Sequence, residues 1–313
     1  MAVGTGLFGT VMDQAGVIIA LPKIADHFVL DIPTAQWINL VFILSTSALI
    51  MPLGRLSDIV GGKRVYIASI FAFLVAAVVS GTAVVFPLLL VARVFQGLGV
   101  AGIQATSMAI MTAVFPERER GKALGLFMLV VGGGLTSGPV IGGLLVSEFG
   151  WRSVFFASVP LGLIALLSTQ SVLESGKMSS IGEPGRFRFD WAGAGLSSGA
   201  LISFLMGMTN GHRFGWGSSA IISTFIASII LLAVFVWWQL RASDPMLDLS
   251  FFRSRVFSMG ISARFLLFLG SSVVFFLMPF YLIQVLGYEA GVAGLLTVPW
   301  AVGMGVMVSS AVG

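Results

Sequence analysis

The sequence is notable first for what it lacks. It has no cysteine, which excludes a disulfide framework, thiolate metal ligands and a cysteine nucleophile. His27 and His212 are its only histidines and lie far apart in the chain, so a histidine metal cluster or a serine–histidine triad has no material. Charge is scarce as well: 10% of residues are Asp, Glu, Lys or Arg, against about 25% in soluble globular domains. No Gly-x-x-x-x-Gly-Lys-Ser/Thr loop is present, so the chain is not its own ATPase. No basic segment followed by a small-residue cleavage site opens the chain, and the first helix is expected to be retained. In place of these features, 57% of the residues are hydrophobic, in long runs along the whole length. Such runs define an all-α polytopic membrane protein.

Ten spans follow from the apolar runs: 3–27, 34–53, 65–83, 87–110, 123–146, 153–172, 191–210, 219–240, 257–284 and 291–313. Each is near or above the ~20 residues a helix needs to cross the hydrocarbon layer. The loops between them alternate in charge. Four carry Arg55, Lys63 and Arg64; Arg118, Arg120 and Lys122; Lys177, Arg186 and Arg188; and Arg241, Arg253 and Arg255. The others carry Lys23, Arg152 or Arg213 singly, or no basic residue. The positive-inside rule therefore predicts a cytoplasmic N-terminus and cytoplasmic basic loops. The net charge of +4 is a topology signal, and nucleic acid is not expected as a partner. The Gly-, Ser- and Pro-rich stretch 173–190 reads as a cytoplasmic linker after an N-terminal six-helix unit, 1–172. Residues 191–255 would then hold two further spans and a cytoplasmic loop, and 256–313 the start of another bundle. The chain ends in apolar sequence, and a fragment of a longer product is expected.

Three charged groups stand deep inside spans, away from their ends: Asp13, Arg93 and Arg264. Arg264 lies about two turns from the cytoplasmic end of its helix, where it either snorkels to the interface or faces a pore. A charge at the bilayer centre costs roughly 2.5–3.5 kcal/mol on insertion scales, which makes Asp13 and Arg93 candidates for function. At 1.5 Å per residue their depths differ by only about 6 Å, within reach of an arginine side chain. At about 4 Å separation and an effective dielectric near 20 they would attract by roughly 4 kcal/mol, keeping Asp13 ionised. With Arg93 withdrawn, burial favours the neutral acid. A carboxyl switched between those surroundings carries protons. A fixed ion pair joining helices one and four is the alternative reading.

Several motifs accompany the pair. "GRLSDIVGGKRV" presents Gly54, Leu56, Asp58, Gly61, Lys63 and Arg64, where glycines allow a tight turn and Asp58 can clamp helix ends at a cytoplasmic gate. "ARVFQGLG" in span four presents Arg93, Gln96, Gly97 and Gly99. "GLTSGPVIGG" in span five presents Gly134, Gly138, Pro139, Gly142 and Gly143, a spacing that permits close helix approach and a kink. With "VMDQAGVIIALPKI", "PMLDLSFFRSRVF" and "MPFYLIQVLGYEAGVAGLLTVP", these stretches resemble the major facilitator superfamily, specifically its fourteen-span drug:proton antiporters. Gly62 stands where that loop motif commonly has arginine, and Gln14, Gly16 and Ile18 depart from the usual helix-one pattern. The resemblance implies a major facilitator fold with about ten of fourteen transmembrane helices present.

It further implies proton-coupled efflux of drugs or amphipathic, often cationic, small molecules by alternating access across the plasma membrane. Asp13 and Arg93 would be the coupling groups, small molecules, protons and lipid the partners, and the proton gradient the energy source without any cofactor. A secondary transporter, not an enzyme, is expected. Gln36, Trp37, Asn39 and Gln96 are candidates to line the substrate cavity, with Phe42 offering a ring for stacking; interfacial anchoring of Trp37 and lipid or core packing of Phe42 are the plainer and favoured account of those two residues. An importer of a small metabolite on the same fold, or a transport-inactive fragment, are the rival readings.

Overall fold

Nine long helices follow the first nine apolar runs in the computed structural model, which describes residues 2–114, 116–172 and 189–281 together with Leu286 and Leu296. They are α1 (Ala2–Phe28), α2 (Trp37–Val60), α3 (Gly62–Gly81), α4 (Phe86–Val114), α5 (Arg120–Phe149), α6 (Arg152–Val172), α7 (Trp191–Phe214), α8 (Ser219–Gln239) and α9 (Arg255–Phe280). The expected tenth span and residues 173–188 of the linker lie outside the described residues. Eight of the helices, α1 to α8, contain a stretch long and apolar enough to cross a membrane. No strand occurs among the described residues.

Local chemistry explains the helix ends. Gly61 takes φ +100°, a conformation open to glycine, and turns α2 directly into α3. Asp190 caps α7 by accepting from the Gly193 N–H at 2.8 Å, and Ser218 caps α8 through Ile221. A short helical turn, Ile32–Ala35, separates α1 from α2. Thr34 hydrogen-bonds to Asp31 there and holds that carboxyl below its ordinary range. Pro22, Pro52, Pro139 and Pro160 all sit inside helices; in a membrane bundle, neighbouring helices and hydroxyls compensate for the lost hydrogen bond.

Helices α1 to α6 form one bundle. α1 packs on α5 and α6, α4 packs on α2 and α3, and α3 closes against α6. Two apolar clusters fill it. Val17, Ala20, Ile24, Ile38, Leu89 and Phe155 meet toward one end, and Phe42, Tyr66, Phe73, Val100, Ile103 and Ala165 toward the other. On α1, α3, α4 and α6, the residues between these clusters include Asp13, Ser80, Arg93, Gln96 and Ser158, each fully buried. The bundle thus carries a thin polar layer between two apolar plugs.

α7 and α8 pack against each other, and α7 leans on α2, where the Ser198 hydroxyl donates to the Ala48 carbonyl at 2.8 Å. The far end of the pair is fastened by Asp190. Besides the Gly193 N–H, it accepts from Trp238 Nε1 at 2.8 Å and from Gln239 Nε2 at 2.7 Å. Gln239 Oε1 in turn accepts from the Leu247 N–H at 3.0 Å.

Candidate functional site

Asp13 and Arg93 meet inside the bundle. α1 brings Asp13 to its centre, and α4 brings Arg93 to the same level from a neighbouring position. Arg93 Nη1 donates to Asp13 Oδ2 at 3.0 Å, and both side chains are fully buried. A buried pair is weak evidence for stability, because desolvation offsets most of the attraction, but removing one partner strands the other charge. The surroundings reduce that penalty. Ser158 on α6 lies with its hydroxyl 3.2 Å from Asp13 Oδ1. Arg93 Nη1 also reaches Gln96 Oε1 at 2.9 Å, and Nε donates to the Ile38 carbonyl at 3.3 Å. Ser80 donates to the same Gln96 oxygen at 3.3 Å. The Phe42 ring lies 4.2 Å from the guanidinium carbon and the Phe155 ring 5.8 Å, so the cation is faced by two aromatic rings. Arg93 Nη2 and Gln96 Nε2 are buried donors without a hydrogen-bond partner among the described residues, so the layer has spare donor capacity.

The two glycine motifs bring the helices that carry this layer close together. A β-carbon on Gly97 would lie 2.6 Å from the Phe42 carbonyl, and one on Gly99 2.7 Å from the Ser69 carbonyl, so α4 sits backbone-close to α2 and α3. On α5, a β-carbon at Gly138 would lie 2.5 Å from Ala15 Cβ, and one at Gly142 2.7 Å from the Gly16 α-carbon. Gly134 faces Val11 in the same way. This seam brackets Asp13 on α1. Gly143 stands apart: its β-carbon would come no closer than 3.9 Å to Ile19. Pro139 lies within the seam's length, inside α5.

The loop motif occupies one end of the bundle. Gly54 faces Ala105 of α4, and Asp58 is an exposed residue whose carboxylate lies 3.9 Å from Arg55 on its own helix. Lys63 and Arg64 open α3 beyond Gly61, and neither forms an ion pair with another described residue. Of the cavity candidates, only Gln96 joins the Asp13–Arg93 pair. Gln36 is exposed at the start of α2, Trp37 is half-buried, and Asn39 turns a buried, unpartnered Oδ1 inward. The contact from α2 to the pair runs through the Ile38 carbonyl and the Phe42 ring. Phe42 is therefore committed to Arg93 inside the core, not open for stacking on a substrate. Arg264 is exposed on α9.

Ser158, Ser80 and Ile38 were not singled out from sequence. Serines are common in membrane helices, and a backbone carbonyl leaves no residue signature.

A multi-pass helical bundle with a buried ion pair at its centre defines the class: a polytopic α-helical membrane protein. Residues 3–180 match the Major Facilitator Superfamily, and the chain belongs to that family. It is 33% identical over 308 residues to the multidrug resistance protein Stp of Mycobacterium tuberculosis (strain ATCC 25618 / H37Rv), covering 98% of this chain and 56% of that one. It is 29% identical over 299 residues to the tetracenomycin C resistance and export protein of Streptomyces glaucescens, covering 96% of this chain and 55% of that one. Similarity also extends to the riboflavin transporter RibZ of Clostridioides difficile (strain 630), at 30% identity over 294 residues, 92% of this chain and 61% of that one. The chain thus spans about half the length of the relatives it matches. Among solved structures, the proton:xylose symporter XylE bound to 6-bromo-6-deoxy-D-glucose superposes with a TM-score of 0.62 at 15% identity, over 99% of this chain and 67% of that one. That likeness concerns the fold.

Proposed function

We propose that the whole protein expels amphipathic, often cationic, small molecules across the cytoplasmic membrane in exchange for protons, as a secondary transporter with its N-terminus inside. The observation that carries this reading is the enclosed Asp13–Arg93 pair, an ionisable couple in a thin buried polar layer between two apolar clusters. While Asp13 is charged, the pair holds α1 against α4. Protonation of Asp13 removes the charge–charge attraction, which a Coulomb estimate puts at roughly 4 kcal/mol near 4 Å and an effective dielectric of 20. Arg93 then keeps Gln96 Oε1, the Ile38 carbonyl and the Phe42 ring. The glycine seam keeps α1 on α5 throughout. A proton therefore loosens one helix contact and leaves the other intact, which is what a tilting element in alternating access requires. Likeness to the multidrug resistance protein Stp and to the tetracenomycin C resistance and export protein supports outward transport of drug-like molecules.

The riboflavin transporter among the relatives favours a second reading, transport of one planar metabolite by the same bundle. Competition between a panel of cationic dyes and riboflavin distinguishes the two.

The test is transport in inverted membrane vesicles under an imposed pH gradient. Asp13→Asn is expected to abolish gradient-driven movement of substrate while the protein stays folded and inserted. Wild-type efflux by that variant would remove the mechanism.

A further inference from the structure

The two oxygens of Asp13 face chemically different partners. Oδ2 receives Arg93 Nη1 at 3.0 Å, while Oδ1 lies 3.2 Å from Ser158 Oγ. A guanidinium only donates, so a proton placed on Oδ2 would point one donor at another. A hydroxyl both donates and accepts. The Ser158 hydroxyl has, in addition, a second acceptor for its single hydrogen: the Phe155 carbonyl, one turn earlier on α6, at 2.9 Å. Asp13 and Ser158 are fully buried between the two apolar clusters, and Phe155 is a fully buried member of one of them.

We infer that Ser158 is the positioning residue that makes Oδ1 the oxygen on which Asp13 takes its proton. With Asp13 charged, the Ser158 O–H donates to Oδ1. When a proton from water arrives, an O–H bond forms at Oδ1 and the carboxylate charge is cancelled. The Ser158 hydrogen swings to the Phe155 carbonyl, and the Ser158 oxygen accepts the hydrogen bond from the new acid. No covalent bond to Ser158 breaks, and one proton is taken up. The same side chain thus satisfies both states of Asp13 inside a layer where an unpartnered polar group is costly. Arg93 takes no part in the transfer, because its contact lies on the other oxygen. The inference deepens the proposed coupling role of Asp13 and rests on it.

The experiment uses the full-length protein in liposomes, with infrared difference spectra between acid and alkaline buffer and efflux measured across the same pH range. The carbonyl band of protonated Asp13 is assigned by its loss in Asp13→Asn. In Ser158→Ala that band is expected to shift and the pH profile of efflux to be displaced. Transport at the optimum should fall about fivefold, the size of one lost hydrogen bond, with substrate KM unchanged. Ser158→Thr, which keeps the hydroxyl, should restore band and profile. Ser158→Cys, which keeps the volume with a weaker donor, should behave like the alanine variant and serves if that variant does not fold. An unmoved band and profile in either variant overturns the inference while leaving Asp13 as the coupling group. A wild type without any band lost in Asp13→Asn overturns the coupling role and the inference together.

Discussion

Arg93 divides one guanidinium among an acid, an amide, a backbone carbonyl and an aromatic face. Only a planar fork can serve these directions at once; a lysine ammonium is a compact charge that cannot reproduce Nε, Nη1 and a flat face together. Arg93→Lys is therefore expected to keep the charge balance and the fold but to lose the Ile38 contact and the stacking on Phe42. Gradient-driven efflux should fall on the order of tenfold, the scale of one hydrogen bond to a charged group. Measuring rate and KM for the variant in vesicles checks this, and an unchanged rate would show that charge alone matters at this position. Asp13 and Arg93 were legible as a pair in the sequence because ionisable residues are conspicuous in apolar spans and helix rise converts position into depth. Their serine and backbone partners were not, since neither carries a signal in composition.

At the scale of helices, the α1–α5 seam makes a graded prediction. A β-carbon at Gly142 would meet the Gly16 α-carbon at 2.7 Å, backbone against backbone, whereas one at Gly143 has open room to 3.9 Å. Gly142→Val should push α1 from α5, lowering the yield of folded protein in detergent and abolishing transport, while Gly143→Ala should leave both near wild type. Equal loss in the two variants would mean that helix propensity, not close approach, is what these glycines supply. The spacing of Gly134, Gly138 and Gly142 announced such a contact, but not its partner: small residues on one helix say that something comes near, and only the fold says that it is α1. Helix boundaries show a similar limit. The second span was read as 34–53 and α2 runs Trp37–Val60. Hydropathy ends where polar Arg55, Ser57 and Asp58 begin, yet backbone hydrogen bonding continues to the turn at Gly61. The second half of the turn Ile32–Ala35 falls inside that span, because its four residues are no longer than the uncertainty at a helix end.

For the whole molecule, the lack of cysteine becomes a practical advantage. Single cysteines placed at Arg118 or Val84 would meet no other thiol within these 313 residues. The basic-loop pattern predicts that Arg118→Cys reacts with a membrane-impermeant maleimide only after the cells are opened, and that Val84→Cys reacts in intact cells. The reverse pattern would invert the orientation and with it the direction assigned to transport. Nine of the ten spans read from apolar runs correspond to helices, because a chain built for lipid writes its topology in hydropathy. The pair α7 and α8 is different in kind, since nothing in the sequence disclosed how its ends are joined. Asp190, where the chain enters the pair, and Leu247, just after it leaves, both meet on the single side chain of Gln239. A segment whose beginning and end are knotted at one point occupies almost no length along the thread of the protein. The chain therefore enters and leaves this hairpin side by side, with one amide side chain as the clasp.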